Sequence, residues 1–403
     1  MGLGLSIGSV NSVAAVTADE SGTPAVAGLR TTMNLSTGAE PDVGCIPRSP
    51  DVIADFADLI TSPDPVAIVD GRVITGADLV AVVANRLALE ADGAAADAVL
   101  AYPAIYLADQ VAALRQALDR VGLSAMRLVP EPLAAVAWLD TTAESELVLV
   151  YDLGASSLDL AVVRIESGTA RLLGRPLRSY DFGGRPFDAS LARHLHDLAP
   201  AATPPRAGVV PGTELADLYA RHVQESVTSV LDCVRAANLA MSDIDRVLLI
   251  GGAAQPTRVA RVLADELGRP VVRGPEPAQT IALGAAVLAA CKGNQDKSPV
   301  AVPLPRRKTG LLLSMSPTSV RYRRRRLIRW QRIRVIRPIR RQRHQPSRAI
   351  RTRLRSKVRQ PRLGRRRPAS RPPNPHRVRI PVHRLPIWTR WPPAPLGCCR
   401  PAR

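Results

Sequence analysis

Residues 146–165 read ELVLVYDLGASSLDLAVVRI, two apolar runs of strand type separated at Gly154. A buried strand, a glycine-centred turn with small hydroxyl residues, and a second strand are the parts of a hairpin. Asp152 lies just before the turn and Asp159 just after it. At the end of a buried strand, Asp152 is placed to hold a Mg²⁺ ion through water, since that ion takes few carboxylates and keeps most of its hydration shell. Asp159 could assist from the following strand.

The same design opens the chain. LGLSIGSVNS, residues 3–12, turns through Gly8 with Ser9, Asn11 and Ser12 around it. Backbone N–H groups in glycine turns can approach phosphate oxygens because no Cβ intervenes, which gives Gly8 and Gly154 their expected roles. Ser9 and Ser157 can donate hydroxyl hydrogen bonds to the same oxygens. Two lobes, each presenting a hairpin to a shared cleft, would explain the repetition. The expected organisation is a first lobe over 1–140, a second over 141–290 and a tail over 291–403.

Between and beyond the hairpins, strand and helix patterns alternate, which favours an α/β architecture with mixed sheets. Strand-like runs continue to about residue 30, and residues 31–65, rich in Pro, Asp and Ser, are left unassigned. A helix follows the N-cap candidate Thr75. DAVLAYP reads as a buried strand, and the next helix carries Val111, Leu114, Leu118 and Val121 on one face. MRLVPEP and LAAVAWL give another strand and helix. In the second lobe one helix is predicted over about 213–237, then the strand RVLLI, a helix opened by GGAAQ, and the helix IALGAAVLAA.

Together these stretches resemble the nucleotide-binding domain of the seventy-kilodalton heat-shock chaperones, members of the actin-like ATPase superfamily with a ribonuclease-H-like fold. LGLSIGSVNS and VYDLGASSLD look like the two phosphate motifs, VPEPLAAVAW and ALGAAV like the two connecting helices, and LIGGAAQPTRV like the adenosine motif. DFGGRPFD matches the glycine-containing segment before the family's next helix. The resemblance covers residues 1–290 and implies ATP or ADP and Mg²⁺ as cofactors. It also implies that Gly251 and Gly252 let adenosine lie close to the backbone, and that Glu131 and Asp152 are the catalytic carboxylates. Glu131, between two prolines at a helix mouth, is placed to orient a water for attack on a γ-phosphate. The plainer readings are surface turns for the glycines, a helix cap for Glu131 and strand-end charges for the aspartates.

The chain departs from the family pattern in ways that predict weak or absent hydrolysis. Ser6 stands where the family has an aspartate, and a neutral hydroxyl is a poor magnesium ligand. Ala155 and Ser156 add side chains where the family has glycines. No lysine occurs before Lys292, so the family's phosphate-contacting lysine is missing, with Arg48, Arg72 and Arg86 as candidate substitutes. Ala253 and Gln255 replace the family's nucleoside-contacting Ser and Arg. A subdomain that stacks on adenine is reduced to the linker-like APAATPPRAGVVPGT, residues 199–213. A slow ATPase at most, or a non-enzymatic pseudo-ATPase scaffold binding an unidentified protein partner or client, is what the resemblance implies.

Composition divides the chain again. Residues 1–290 hold 21 arginines and 34 acids; residues 291–403 hold 34 lysines and arginines against one acid, Asp296. The formal charge of +20 describes neither part. Cysteines at 45, 233, 291, 398 and 399 show no Cys-x-x-Cys spacing, which argues against a zinc site and for a reducing, cytoplasmic compartment. No uninterrupted apolar run reaches the roughly 18 residues that a membrane helix needs, so no membrane partner is expected.

From about residue 291 strand and helix patterns stop. RYRRRRLIRWQRIRVIRPIRRQRH, residues 321–344, and the remaining residues to 403 are rich in Arg and Pro, and a disordered basic tail is expected. One reading is nonspecific nucleic-acid binding through 318–380, with Trp330, Trp388 and Trp391 available for stacking. The other is a frameshift in a GC-rich coding sequence, which a stop-free, ordinary protein sequence in another frame would reveal. The first reading predicts that the full-length chain binds single-stranded RNA with an affinity that falls steeply with salt in a filter-binding titration. Lack of binding at low salt would remove it.

Overall fold

The computed structural model describes residues 2–17, 24–35, 41–47, 52–59, 65–69, 72–91, 97–139, 143–198, 212–291 and 301–304. The first hairpin forms where Gly8 predicts it, from β1 (Gly2–Ile7) and β2 (Asn11–Thr17), with Ser6 opposite Val13. β3 (Ala25–Arg30) pairs with β2. The unassigned region contributes a small sheet of β4 (Thr32–Asn34), β5 (Asp42–Val43) and β6 (Val52–Ala54), succeeded by the ribbon β7 (Ala67–Val69) and β8 (Arg72–Ile74).

Helix α1 (Gly76–Glu90) starts at a capping box: Thr75 Oγ1 accepts from the Asp78 N–H at 3.3 Å, and the Thr75 N–H donates to Asp78 at 2.9 Å. β9 (Ala98–Tyr102) then lies parallel to β1. α2 (Ala108–Arg120) buries Leu114 and Leu118 on its predicted face. β10 (Arg127–Pro130) completes a sheet ordered β10-β9-β1-β2-β3 and runs straight into α3 (Glu131–Trp138).

The second hairpin is β11 (Ser145–Leu153) with β12 (Leu158–Glu166), extended by the antiparallel β13 (Thr169–Ser179). α4 (Gly184–Leu198) comes next, then α5 (Gly212–Glu225) and α6 (Val227–Ala236), where sequence periodicity predicts one helix. The break falls at buried Ser226. Its Oγ donates to the Val223 carbonyl at 2.6 Å and lies 2.7 Å from the Tyr151 hydroxyl. β14 (Arg246–Ile250), α7 (Thr257–Leu267), β15 (Val271–Arg273), α8 (Thr280–Ala290) and β16 (Ala301–Pro303) complete this half. Its sheet order is β15-β14-β11-β12-β13-β16. β16 pairs with β13, so the sheet gains a strand beyond residue 291, where strand patterning is expected to end. The arginine-rich segment from residue 305 and the linker 199–211 lie outside the described residues. Among the described residues no helix is long and apolar enough to cross a membrane.

α3 and α8 join the two sheets. Both are apolar on nearly every face, and Leu133, Val136, Ile281, Ala285 and Leu288 share one buried cluster with Val99 of one sheet and Val150 and Leu248 of the other. The approach is close enough to require glycine: a Cβ on Gly284 would overlap the Ala134 carbonyl, and one on Gly4 would overlap the α8 backbone at Ala286. Gly284→Ala should therefore destabilise the chain by about 1–3 kcal/mol or more in urea denaturation. Gly252→Ala, where an added methyl meets open space, should stay within about 0.5 kcal/mol of wild type.

Candidate functional site

The two hairpins share one local design. In each, the turn glycine donates its N–H to the carbonyl three residues on, Gly8 to Asn11 at 3.1 Å and Gly154 to Ser157 at 2.9 Å. Those two N–H groups therefore close the turns. Two residues before each glycine stand Ser6 and Asp152, and their strand partners two residues past each turn are Val13 and Asp159. The register makes Ser6 the counterpart of Asp152: one hairpin carries two carboxylates and the other a serine and a valine.

The hairpins meet directly. Ser156 Oγ donates to Ser9 Oγ at 2.9 Å, so the side chain added at the second turn fills the gap between them. The DFGG segment is docked onto that second turn. Gly184 and Arg185 donate their N–H groups to Gly154 and Ala155 carbonyls at 3.1 and 2.8 Å, and the Gly183 N–H donates to His222 Nε2 at 3.3 Å. Gly183 has a φ of +137° and faces the Ser157 and Gly154 backbone, a position suited to glycine.

Beneath the turns, Glu131, Asp152 and Asp159 line one small cavity with Pro132, Ile105 and Pro176; its volume of about 10 Å³ leaves room for one water at most. Glu131 reaches it as the first residue of α3. Burial, then repulsion from Asp152 and Asp159, holds its carboxyl well above the usual range. Asp152 is pushed up to about 7 by burial and by Asp159, with Arg178 opposing. Asp159 is raised by burial, against Arg178 and Ser157.

Arg178, at the end of β13, is the cation that sequence reasoning missed. Gly174 and Pro176 interrupt the alternation of that strand, so nothing in the chain marks it as paired to β12. In the fold Arg178 stands directly opposite Asp159. Its Nε donates to Asp159 Oδ1 at 2.6 Å and its Nη1 to Asp58 Oδ1 at 3.2 Å, with the side chain 7% exposed. Burial works against the guanidinium, but Asp159 and Asp58 more than offset it and hold its pKa above the ordinary arginine value. Tyr180 donates to Asp58 Oδ2 at 2.7 Å, and Arg185 pairs with Asp55 at 2.5 Å.

Of the arginines expected to replace the lysine, only Arg86 has a described side chain. Arg86 pairs with Glu90 on the exposed side of α1, and Arg48 and the Arg72 side chain lie outside the described residues. Gly251, at φ +96°, abuts the Asp152 carboxylate and the Leu153 backbone, so its lack of a side chain serves the packing of β14 on the second hairpin. Gly252 opens the following turn with its Cα toward free space.

The donor set does not suit Mg²⁺. Asp159 accepts from Arg178 on one oxygen and from Ser157 on the other, at 2.9 Å, and the third position of the hairpin pair is Ser6. Among the described residues no three His, Cys, Asp or Glu side chains are grouped to hold a metal ion. Of the expected ligand pair, Asp159 thus meets a guanidinium, and Asp152 feels the charge of that same group.

Comparison with known proteins gives the same overall assignment. A family profile described as "Hsp70 protein" matches residues 66–202, and one described as "FGGY family of carbohydrate kinases, C-terminal domain" matches residues 185–292. A protein described as a chaperone protein HscA homolog from Laribacter hongkongensis is 31% identical over 261 residues, 55% of this chain and 42% of the relative. Like-named proteins are 30% identical from Chromobacterium violaceum, over 55% of this chain and 41% of the relative, and from Methylococcus capsulatus, over 53% and 40%. The chain spans about two-fifths of the length of these curated relatives. It carries a divergent, partial Hsp70-like domain of the actin-like ATPase fold.

The acidic cavity has a consequence for stability. Between its ordinary value of 3.8 and about 7, Asp152 keeps a proton in the folded chain that the unfolded chain has released. Its stabilising contribution is complete below 3.8 and is lost as pH rises through about 7. Denaturation of wild type and Asp152→Asn across pH 4 to pH 7.5 should therefore show the variant gaining relative to wild type as pH rises. A difference that stays flat would show that Asp152 titrates as it does in water.

Proposed function

We propose that this chain is a cytoplasmic, chaperone-like module that binds ATP or ADP weakly across its two hairpins and hydrolyses ATP slowly or not at all. The observation that carries this reading is the register equivalence of Ser6 and Asp152, which leaves the hairpin pair short of one carboxylate. Ser9 would donate to phosphate oxygens, as would Ser157 once its hydroxyl leaves Asp159, and the open face of Gly252 would lie against the nucleoside. Glu131 would orient a water, but its raised pKa makes it a proton holder rather than a ready base. With α4 ending at Leu198 and α5 starting at Gly212, the adenine would be gripped from one side only.

The contact between Ser156 and Ser9 favours a second reading, a scaffold whose closed cleft serves a protein partner without nucleotide. Thermal melting and phosphate release of the full-length chain separate the two. ATP that raises the melting temperature without phosphate release supports the nucleotide-binding module, because a ligand of the folded state stabilises it by mass action. No shift at millimolar ATP supports the scaffold, and rapid steady-state turnover would overturn both. Increased turnover in Ser6→Asp would assign the loss of hydrolysis to that position.

A further inference from the structure

Arg178 ties together groups from both lobes. Asp159 and Tyr180 come from the second, on β12 of the hairpin and just after β13 beside it, whereas Asp58 lies after β6 of the first. Both Asp58 oxygens are engaged, one by Arg178 and one by Tyr180, and both Asp159 oxygens are engaged by Arg178 and Ser157. Asp58 and Arg178 are 15% and 7% exposed, so the bridge is shielded from solvent. An arginine fork can hold two carboxylates at once, which a lysine ammonium at the same place would do less well. Two further links cross the same gap: Ser156 to Ser9, and Arg185, itself 3.2 Å from Ser156 Oγ, to Asp55.

We propose that the Arg178 guanidinium is the resident cation of this cleft: it replaces the divalent ion that would otherwise balance Asp152 and Asp159, and through Asp58 it fastens the lobes together without metal or nucleotide. The inference rests on reading the cleft as a modified nucleotide site, yet its test needs no nucleotide. Failure of ATP to bind and failure of the cation exchange are therefore separate results.

The test is thermal melting of the full-length chain in EDTA and in millimolar MgCl₂, with no nucleotide added. Wild type should melt at the same temperature in both. Arg178→Gln should melt lower in EDTA and recover with Mg²⁺, because the released carboxylates then form a cation site. Stabilisation of wild type by Mg²⁺, or a folded Arg178→Gln chain indifferent to it, would overturn the proposal. Asp58→Asn leaves the Arg178–Asp159 pair in place and guards against a misfolded first variant. It should remain indifferent to Mg²⁺ while amide exchange accelerates by roughly tenfold or more in residues 52–59 and 178–185. Unchanged exchange in both segments would show that Arg178 does not hold the lobes.

Discussion

Everything in this domain depends on the close crossing of α8 with α3 and β1. Glycines at 4 and 284 remove the atoms that would separate these backbones, so a helix late in the chain lies against its first strand and against the helix that carries Glu131. The crossing supplies the apolar core shared by both sheets, and it sets the separation of the two hairpins. A side chain at either glycine has nowhere to relax, because what it meets is backbone.

On that frame the cleft gathers buried acids around one buried cation. Three carboxyl groups line a small cavity, and burial, with repulsion from neighbouring acids, raises their pKa values. In water-excluded surroundings such a cluster needs a counter-charge, and Arg178 provides one from the neighbouring strand. Ser6, where the family resemblance leads one to expect an aspartate, and Arg178 act in the same direction: fewer negative groups, and one fixed positive group among those that remain. A site so balanced has little use for an additional cation.

Much of the fold was legible locally. Hairpin turns at Gly8 and Gly154, the Thr75 cap, the buried face of α2, and the paired apolar helices each arise from residue type and period. Less legible were the small strands of residues 32–54, too short for a period to register, and the break at Ser226. At that break Ser226 bonds the Val223 carbonyl and the hydroxyl of Tyr151, a residue 75 positions away, a contact that no helical periodicity encodes. The strand β13 was hidden for the opposite reason: Gly174 and Pro176 interrupt its pattern, but pairing to β12 on one side and β16 on the other sustains it.

The same division holds at the site. By itself the sequence determined that two glycine hairpins exist, that one carries Asp152 and Asp159 and the other Ser6, and that a carboxylate opens α3. These are properties of turns and short neighbourhoods, set by backbone sterics and by spacing along a strand. Tertiary structure decided what those carboxylates face. Strand pairing put Arg178 opposite Asp159, lobe packing brought Asp58 to its other side, and the Ser9–Ser156 contact closed the gap above. Charge pairing acts through space across residues distant in the chain, so the partner of an acid is fixed only once the strands that carry both are in register.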